Sequence, residues 1–171
     1  MNELSLQEVV DLGVKLTPMM SQYYEIKKNY KDIIVFFRMG DFYEVFFEDA
    51  RSASKLLNIT LTNRGKLGGY PIPMAGIPHH AATTYIDRLT AIGLKVAICE
   101  QVENPKEAKG IVKRAVTQVV SPGMPFDLEK AEQREHRYIA CGHHHRGHFY
   151  LILLDFTTGD FVGHKFETQT Q

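Results

Sequence analysis

Cysteine is scarce in this sequence and long apolar runs are missing from it. Two cysteines, Cys99 and Cys141, in 171 residues make no disulfide framework. Both fall in apolar, strand-like runs, where a free thiol serves as a small hydrophobe, and a reducing, cytoplasmic setting is the expectation. The longest apolar runs, such as Ile33–Phe37 and Leu151–Leu154, fall far short of the ~20 residues that cross a bilayer. The amino terminus, MNELSLQEVV, carries acids and no basic region ahead of an apolar stretch, so no secretory signal is expected there. Net charge is lacking too: 20 Lys and Arg balance 20 Asp and Glu. The chain as a whole therefore does not advertise a nucleic-acid partner. There is no Gly-rich phosphate loop, no Gly-x-Ser-x-Gly elbow and no Cys-x-x-Cys pair for zinc. Internal repeats and low-complexity tracts are absent as well.

The distribution of charge is more informative than its sum. No acid occurs between Asp49 and Asp87, whereas Arg51, Lys55, Arg64 and Lys66 all fall there. Residues 1–120 carry a slight basic excess and residues 121–171 a slight acidic one. Such a local excess suits a surface that faces phosphates, and it suits equally a solvated face.

Several elements can be read from pattern. Residues 17–30, TPMMSQYYEIKKNY, read as a helix, with Thr17 as N-cap and Pro18 at the first helical position. Met19, Tyr23, Ile26 and Tyr30 form its apolar face. A weaker amphipathic segment, Leu4–Val14, precedes it. Residues 33–39, IIVFFRM, are β-branched and aromatic and read as a buried strand. After Gly40-Asp41, the steps Phe42, Phe46, Ala50, Ala53, Leu57 predict a helix, 58–62 a short strand, and the Gly- and Pro-rich 63–73 an exposed loop. A helix over 80–92 stops at Gly93. Leu94–Glu100 and Lys113–Val120 are strands, the latter carrying Arg114 near its start. Alternating strands and helices predict an α/β layer domain over residues 1–120.

SPGMP, 121–125, reads as a domain joint. Beyond it, Tyr138–Cys141, His148–Asp155 and Asp160–Phe166 predict an antiparallel three-strand meander. That meander has one face to cover and no helix left to cover it. Residues 121–171 are therefore expected to be the opening strands of a second, truncated domain. His143, His144 and His145 with Cys141 invite a metal reading, but consecutive histidines in a hairpin loop cannot all reach one ion without distortion. His79 and His80 read as capping or packing residues, and Asp155 and Asp160 as turn chemistry.

FRMGDFYEVFF, 37–47, poses the main question. Phe42 shares a stripe with Phe46 and Leu57 and suits a core contact. It also sits at a turn, where a side chain can project outward. An exposed phenyl ring can be pushed between base steps, unstacking them at a cost of a few kcal/mol, less where a mispair has already softened the duplex. Glu44 is then useful only against a base edge, since phosphates repel a carboxylate. Ionised, it accepts from an imino or amino N–H; protonated, it donates to a purine N7.

TPMM at 17–20, FFRMGDFYE at 36–44, FFEDA at 46–50, LNITLT at 57–62, PIPMAGIPHHA at 71–81 and VAICEQ at 96–101 resemble, in order and almost without gaps, the N-terminal part of the MutS family of DNA mismatch-repair proteins, the bacterial branch in particular. The resemblance covers residues 17 to about 123. The tail, with LLDFTTGDF at 153–161, is similar to the opening strands of that family's connector domain, an RNase H-like fold. The resemblance implies an α/β fold built as a mixed sheet with flanking helices, then the antiparallel opening strands of a truncated second α/β domain.

It further implies that Phe42 stacks on a mispaired base and Glu44 hydrogen-bonds it, with Met39 and Met74 beside the distorted step and Arg64 and Arg114 near the DNA backbone. No catalytic or metal-ligating residue is implied for this stretch. ATP and magnesium belong to the full-length protein, which would work as a homodimer on mismatched duplex DNA with downstream repair factors, in the cytoplasm at the nucleoid and away from membranes. Two other readings are open: a structure-selective, metal-dependent nuclease using Asp41, Glu44, Glu48 and Asp49, with Glu44 and Glu48 on one helix face, and a protein-interaction module that does not touch DNA.

Overall fold

The computed structural model describes residues 4–104, 108, 110–122, 126, 138–155 and 158–167. They fall into two compact units, Met1–Pro122 and Gly123–Gln171. The first opens with helix α1 (Leu6–Asp11), whose start is a reciprocal capping box between Ser5 and Glu8. Helix α2 (Pro18–Lys27) follows, capped by the Thr17 hydroxyl as its sequence predicts. Then come β1 (Ile34–Met39), β2 (Phe42–Phe46), α3 (Phe47–Leu57), β3 (Thr62–Leu67), β4 (Tyr70–Pro78), a short 3-10 turn at His79–Ala81, α4 (Ala82–Ala91), β5 (Val96–Gln101) and β6 (Arg114–Val120). The six strands make one mixed sheet in the order β3-β4-β2-β1-β5-β6. Only β1 and β5 run parallel; the other neighbours are antiparallel.

Three expectations are corrected here. Phe42–Phe46 is a strand, and the helix begins only at Phe47. The apolar steps of four misled because residues four apart share a side on a strand as well as on a helix. The stretch 63–73 is no loop either: it supplies most of β3 and the start of β4, joined by the two-residue turn Gly68-Gly69. Both glycines have positive φ, at 57° and 90°, the geometry that matches the twist of a tight hairpin. The expected strand at 58–62 reduces to its last residue, Thr62.

One face of the sheet packs against α1 and α2. Leu6, Val9, Met20 and Tyr23 from the helices meet Val35, Phe37, Phe46, Ala97 and Cys99 from the strands. Tyr23, Phe37 and Phe46 form an edge-to-face aromatic triad, with centroids 5.0–6.3 Å apart. A buried polar cluster ties this side together. The Asp49 carboxylate accepts from Lys27 Nζ at 2.8 Å, the Tyr23 hydroxyl at 3.2 Å and the Val35 amide at 3.0 Å. Burial raises the Asp49 carboxyl above its ordinary value, and the Lys27 ammonium pulls it back part of the way.

The β3–β4 turn is locked onto the segment after α1. A Cβ at Gly68 would stand 2.6 and 2.8 Å from the two Val14 methyl carbons, closer than such carbons approach. Gly68→Ala combines that clash with a left-handed backbone and is expected to cost roughly 1–3 kcal/mol. Gly69→Ala, with φ at 90° and nothing within 4 Å of its Cβ, carries the conformational cost alone. Urea midpoints that fall further for Gly68→Ala than for Gly69→Ala, at constant slope, are the expected result.

The second unit is an antiparallel sheet of β7 (Tyr138–His145), β8 (His148–Asp155) and β9 (Phe161–Glu167), with β8 central. The expected loop at 142–147 is strand as far as His145, and Arg146-Gly147 makes the turn, with φ at 48° and 75°. The histidines thus alternate sides. His143 and His145 stack with centroids 6.1 Å apart, which leaves His144 on the opposite face.

Candidate functional site

The β1–β2 hairpin carries Phe42 and Glu44, the two residues singled out from the sequence. Gly40, at φ 59°, opens its two-residue turn. The turn is held from both sides: Arg38 Nε donates to the Gly40 carbonyl, and the His79 amide donates to the Asp41 carbonyl at 2.8 Å. Tyr43, in the middle of the triplet, points to the far face of the sheet and is buried. Its ring meets Phe36 and His79, the Arg38 guanidinium lies over it, and its hydroxyl donates to Glu100. Tyr43 is thus the anchor that turns its two neighbours the other way.

Strand geometry gives Phe42 and Glu44 a common direction. Residues two apart on a strand share a face, spaced about 6.7 Å; two apart on a helix they would diverge. Phe42 is 47% exposed. Across the sheet it lies between Met39 on β1 and Pro78 on β4. The neighbouring row is Phe37, Glu44 and Gly76, and the next includes Phe46, Met74 and Thr62. Met39 and Met74 are half-buried against the core cluster, so they form the floor beside Phe42 and Glu44.

Gly76 was not singled out from the sequence. It is exposed and directly opposite Glu44, and a Cβ there would only touch Phe42 at an ordinary 3.7 Å. The fold does not require glycine for space at that point. A glycine inside a strand is a signal of close approach by another group, and it was readable as such once β4 is recognised.

Glu44 is less open than its neighbour: 13% of its side chain is exposed. Arg64, on β3, covers it. One guanidinium nitrogen donates to both carboxylate oxygens, at 2.7 and 2.5 Å. Arg64 reaches Glu44 across β4, where the residue opposite Glu44 is the side-chain-free Gly76. Burial raises the Glu44 carboxyl above its ordinary value, while Arg64 and then Arg114 act in the opposite sense.

Arg114 is enclosed, at 8% exposure. Its guanidinium donates to the carbonyls of Arg38 at 2.6 Å and Val112 at 2.8 Å and to Gln22 at 3.4 Å, and it lies over the Phe37 ring. Those contacts make it a brace between β6 and the β1–β2 hairpin, not an open basic position. Among the charge-gap residues, Arg64, Lys55 and Lys66 are exposed, whereas Arg51 is half-buried and donates to the Leu4 carbonyl.

The acids named for a nuclease do not converge. Glu44 is on a strand, so it shares no helix face with Glu48; Asp49 is committed to Lys27, Tyr23 and Val35, and Glu44 to Arg64. Among the described residues no group of three or more His, Cys, Asp or Glu is placed to hold a metal ion, and no helix is long and apolar enough to cross a membrane.

Residues 17–129 match the family described as MutS domain I. The chain belongs to that family. It is 51% identical over 148 residues to the DNA mismatch repair protein MutS of Desulfatibacillum aliphaticivorans, which covers 86% of this chain and 17% of that protein. It is 52% identical over 145 residues to the protein of the same name from Alkaliphilus metalliredigens, with 85% and 16% covered. To that of Methanococcoides burtonii it is 49% identical over 154 residues, with 90% and 17% covered. The chain thus spans about a sixth of the length of these MutS relatives.

Proposed function

We propose that this chain is the mismatch-reading module of a DNA mismatch-repair protein, with Phe42 the wedge and Glu44 the base-contacting group. The observation that carries the reading is a large aromatic ring left open on a pinned hairpin, with a carboxyl group on the same side of the same strand. The ring is offered by a rigid sheet, so little ordering is lost when it stacks on a base. Gly76 leaves the backbone beside it bare, which gives a displaced base somewhere to lie. Glu44 then meets that base at its edge. Stacked bases and nearby phosphates would push its carboxyl further up than burial already does, which favours donation to a purine N7. Met39 and Met74 pack under the step, and Arg64 supplies a partly exposed guanidinium beside it. The relatives' name, DNA mismatch repair protein, agrees with this reading.

ATP, magnesium, dimer contacts and downstream partners are assigned to parts of the longer protein beyond this domain, and residues 121–171 to the start of its connector. Phosphate contacts supply most of the affinity of a DNA-binding protein, and this segment spans only 16–17% of the relatives' length. The chain alone is therefore expected to give little or no shift of a mismatched oligonucleotide in a gel. Placed in the full-length context, in exchange for the corresponding segment of a relative, it is expected to restore preference for mismatched over matched duplex. Tight, mismatch-selective binding by the chain alone would contradict the first expectation, and equal binding of both duplexes in the full-length context would contradict the proposal.

A further inference from the structure

We infer that Arg64 is a gate on Glu44, and that displacing it is a step in telling a mispaired base from a paired one. This rests on the proposed role of Glu44. The structure favours a gate over a plain phosphate contact for three reasons. Both Glu44 oxygens are taken by one Arg64 nitrogen, so no base edge can reach the carboxylate along that direction without moving the guanidinium. The 13% exposure of the Glu44 side chain contrasts with the 47% of Phe42 on the same strand face: the wedge is open while the reader is shut. Arg64 itself is movable. Its side chain is 39% exposed, and it stands where the β3–β4 pairing is interrupted, between Asn63 and Lys66.

The gate acts differently on the two duplexes. On a fully paired duplex no base edge is freed, so Arg64 stays on Glu44 and cancels a carboxylate that phosphates would repel. On a mispair the base edge that meets Glu44 needs one of the same oxygens, as acceptor or, once protonated, as donor to a purine N7, so the guanidinium must leave first. The other cation whose charge acts on Glu44 is Arg114, which is fixed by the carbonyls of Arg38 and Val112 and so cannot serve as the moving part.

Removing Arg64 should therefore help the mispair and harm the matched duplex. In the full-length context, Arg64→Gln is expected to raise the ratio of mismatched to matched affinity roughly two- to five-fold, the scale of a partly exposed ion pair. The same change made on top of Glu44→Gln should leave the ratio where Glu44→Gln alone puts it, because there is no carboxylate left to gate. An Arg64 that simply holds a phosphate would lower both affinities together in both backgrounds and reduce the salt dependence by about one charge. That result, or a ratio that falls on Arg64→Gln, would overturn the gate. If Glu44→Gln itself leaves the ratio unchanged, it is the reading of Glu44 that fails, which is a separate outcome. Carbon-13 NMR titration of the Glu44 carboxyl in this chain supplies a check that needs no DNA: Arg64→Gln should move its midpoint upward, and an unmoved midpoint would show that the pair does not form in solution.

Discussion

Phe42→Ala, in the full-length context, is expected to abolish preference for a mispair while leaving weak, salt-dependent binding to any duplex. Stacking of a base on an aromatic side chain contributes roughly 1–3 kcal/mol, so affinity for mismatched DNA should fall roughly 5- to 150-fold. Matched duplex does not accept the wedge and should lose little. The folded protein should hardly notice. Phe42 is 47% exposed, and its neighbours Met39 and Pro78 lie beside rather than on top of it, so a loss below about 1 kcal/mol of stability is expected. A paired measurement of melting temperature and of the two affinities separates the outcomes. Equal loss on both duplexes, or a collapsed melting temperature, would make Phe42 a structural residue.

Asp49→Ala should produce the largest loss of stability in the domain. Its carboxylate, near the start of α3, collects three donors from two other elements: Lys27 and Tyr23 of α2 and the Val35 amide of β1. Removing it leaves the half-buried Lys27 ammonium with carbonyl acceptors but no counter-charge and the buried Val35 amide without an acceptor, a change on the order of 3–5 kcal/mol. For a domain of this size the melting temperature should fall by roughly 10–25 °C. The consequence reaches the site, because β1 is the strand that carries the Phe42 hairpin. Lys27→Met tests the same cluster through pH. The Asp49 carboxyl is raised in the folded state, so its contribution is fully present below the unfolded value of 3.8 and is lost as pH rises through the folded value. Without Lys27 that folded value moves higher still, and the stability deficit of Lys27→Met should shrink on acidification. A deficit independent of pH would mean that Asp49 is not charged in the native cluster.

What the sequence made legible depended on whether local pattern was enough. Thr17-Pro18 announces α2, the β-branched and aromatic run announces β1, and Gly93 closes the helix before β5; each signal lies within the element it describes. The hairpin strands were harder. Phe42 and Phe46 satisfy the helical and strand periods alike, so their spacing could not decide between them. Gly65, Gly68 and Gly69 look like loop punctuation, although the first lies in an irregular stretch of a strand and the other two form its turn. Arg114 illustrates a different limit. A cation in a strand pattern reads as exposed, and only the fold shows main-chain carbonyls waiting for its guanidinium. The Glu44–Arg64 pair joins residues on two strands separated by a third, and no local spacing encodes it.

A photo-crosslinking amino acid at position 42 tests the wedge most directly. With a benzophenone side chain there, in the full-length context, crosslinks to a duplex bearing one mispair should concentrate on the mispaired nucleotide and its immediate neighbour, and a fully paired duplex of the same sequence should give almost none. Crosslinks spread evenly along both duplexes, or absent from both, would contradict the account.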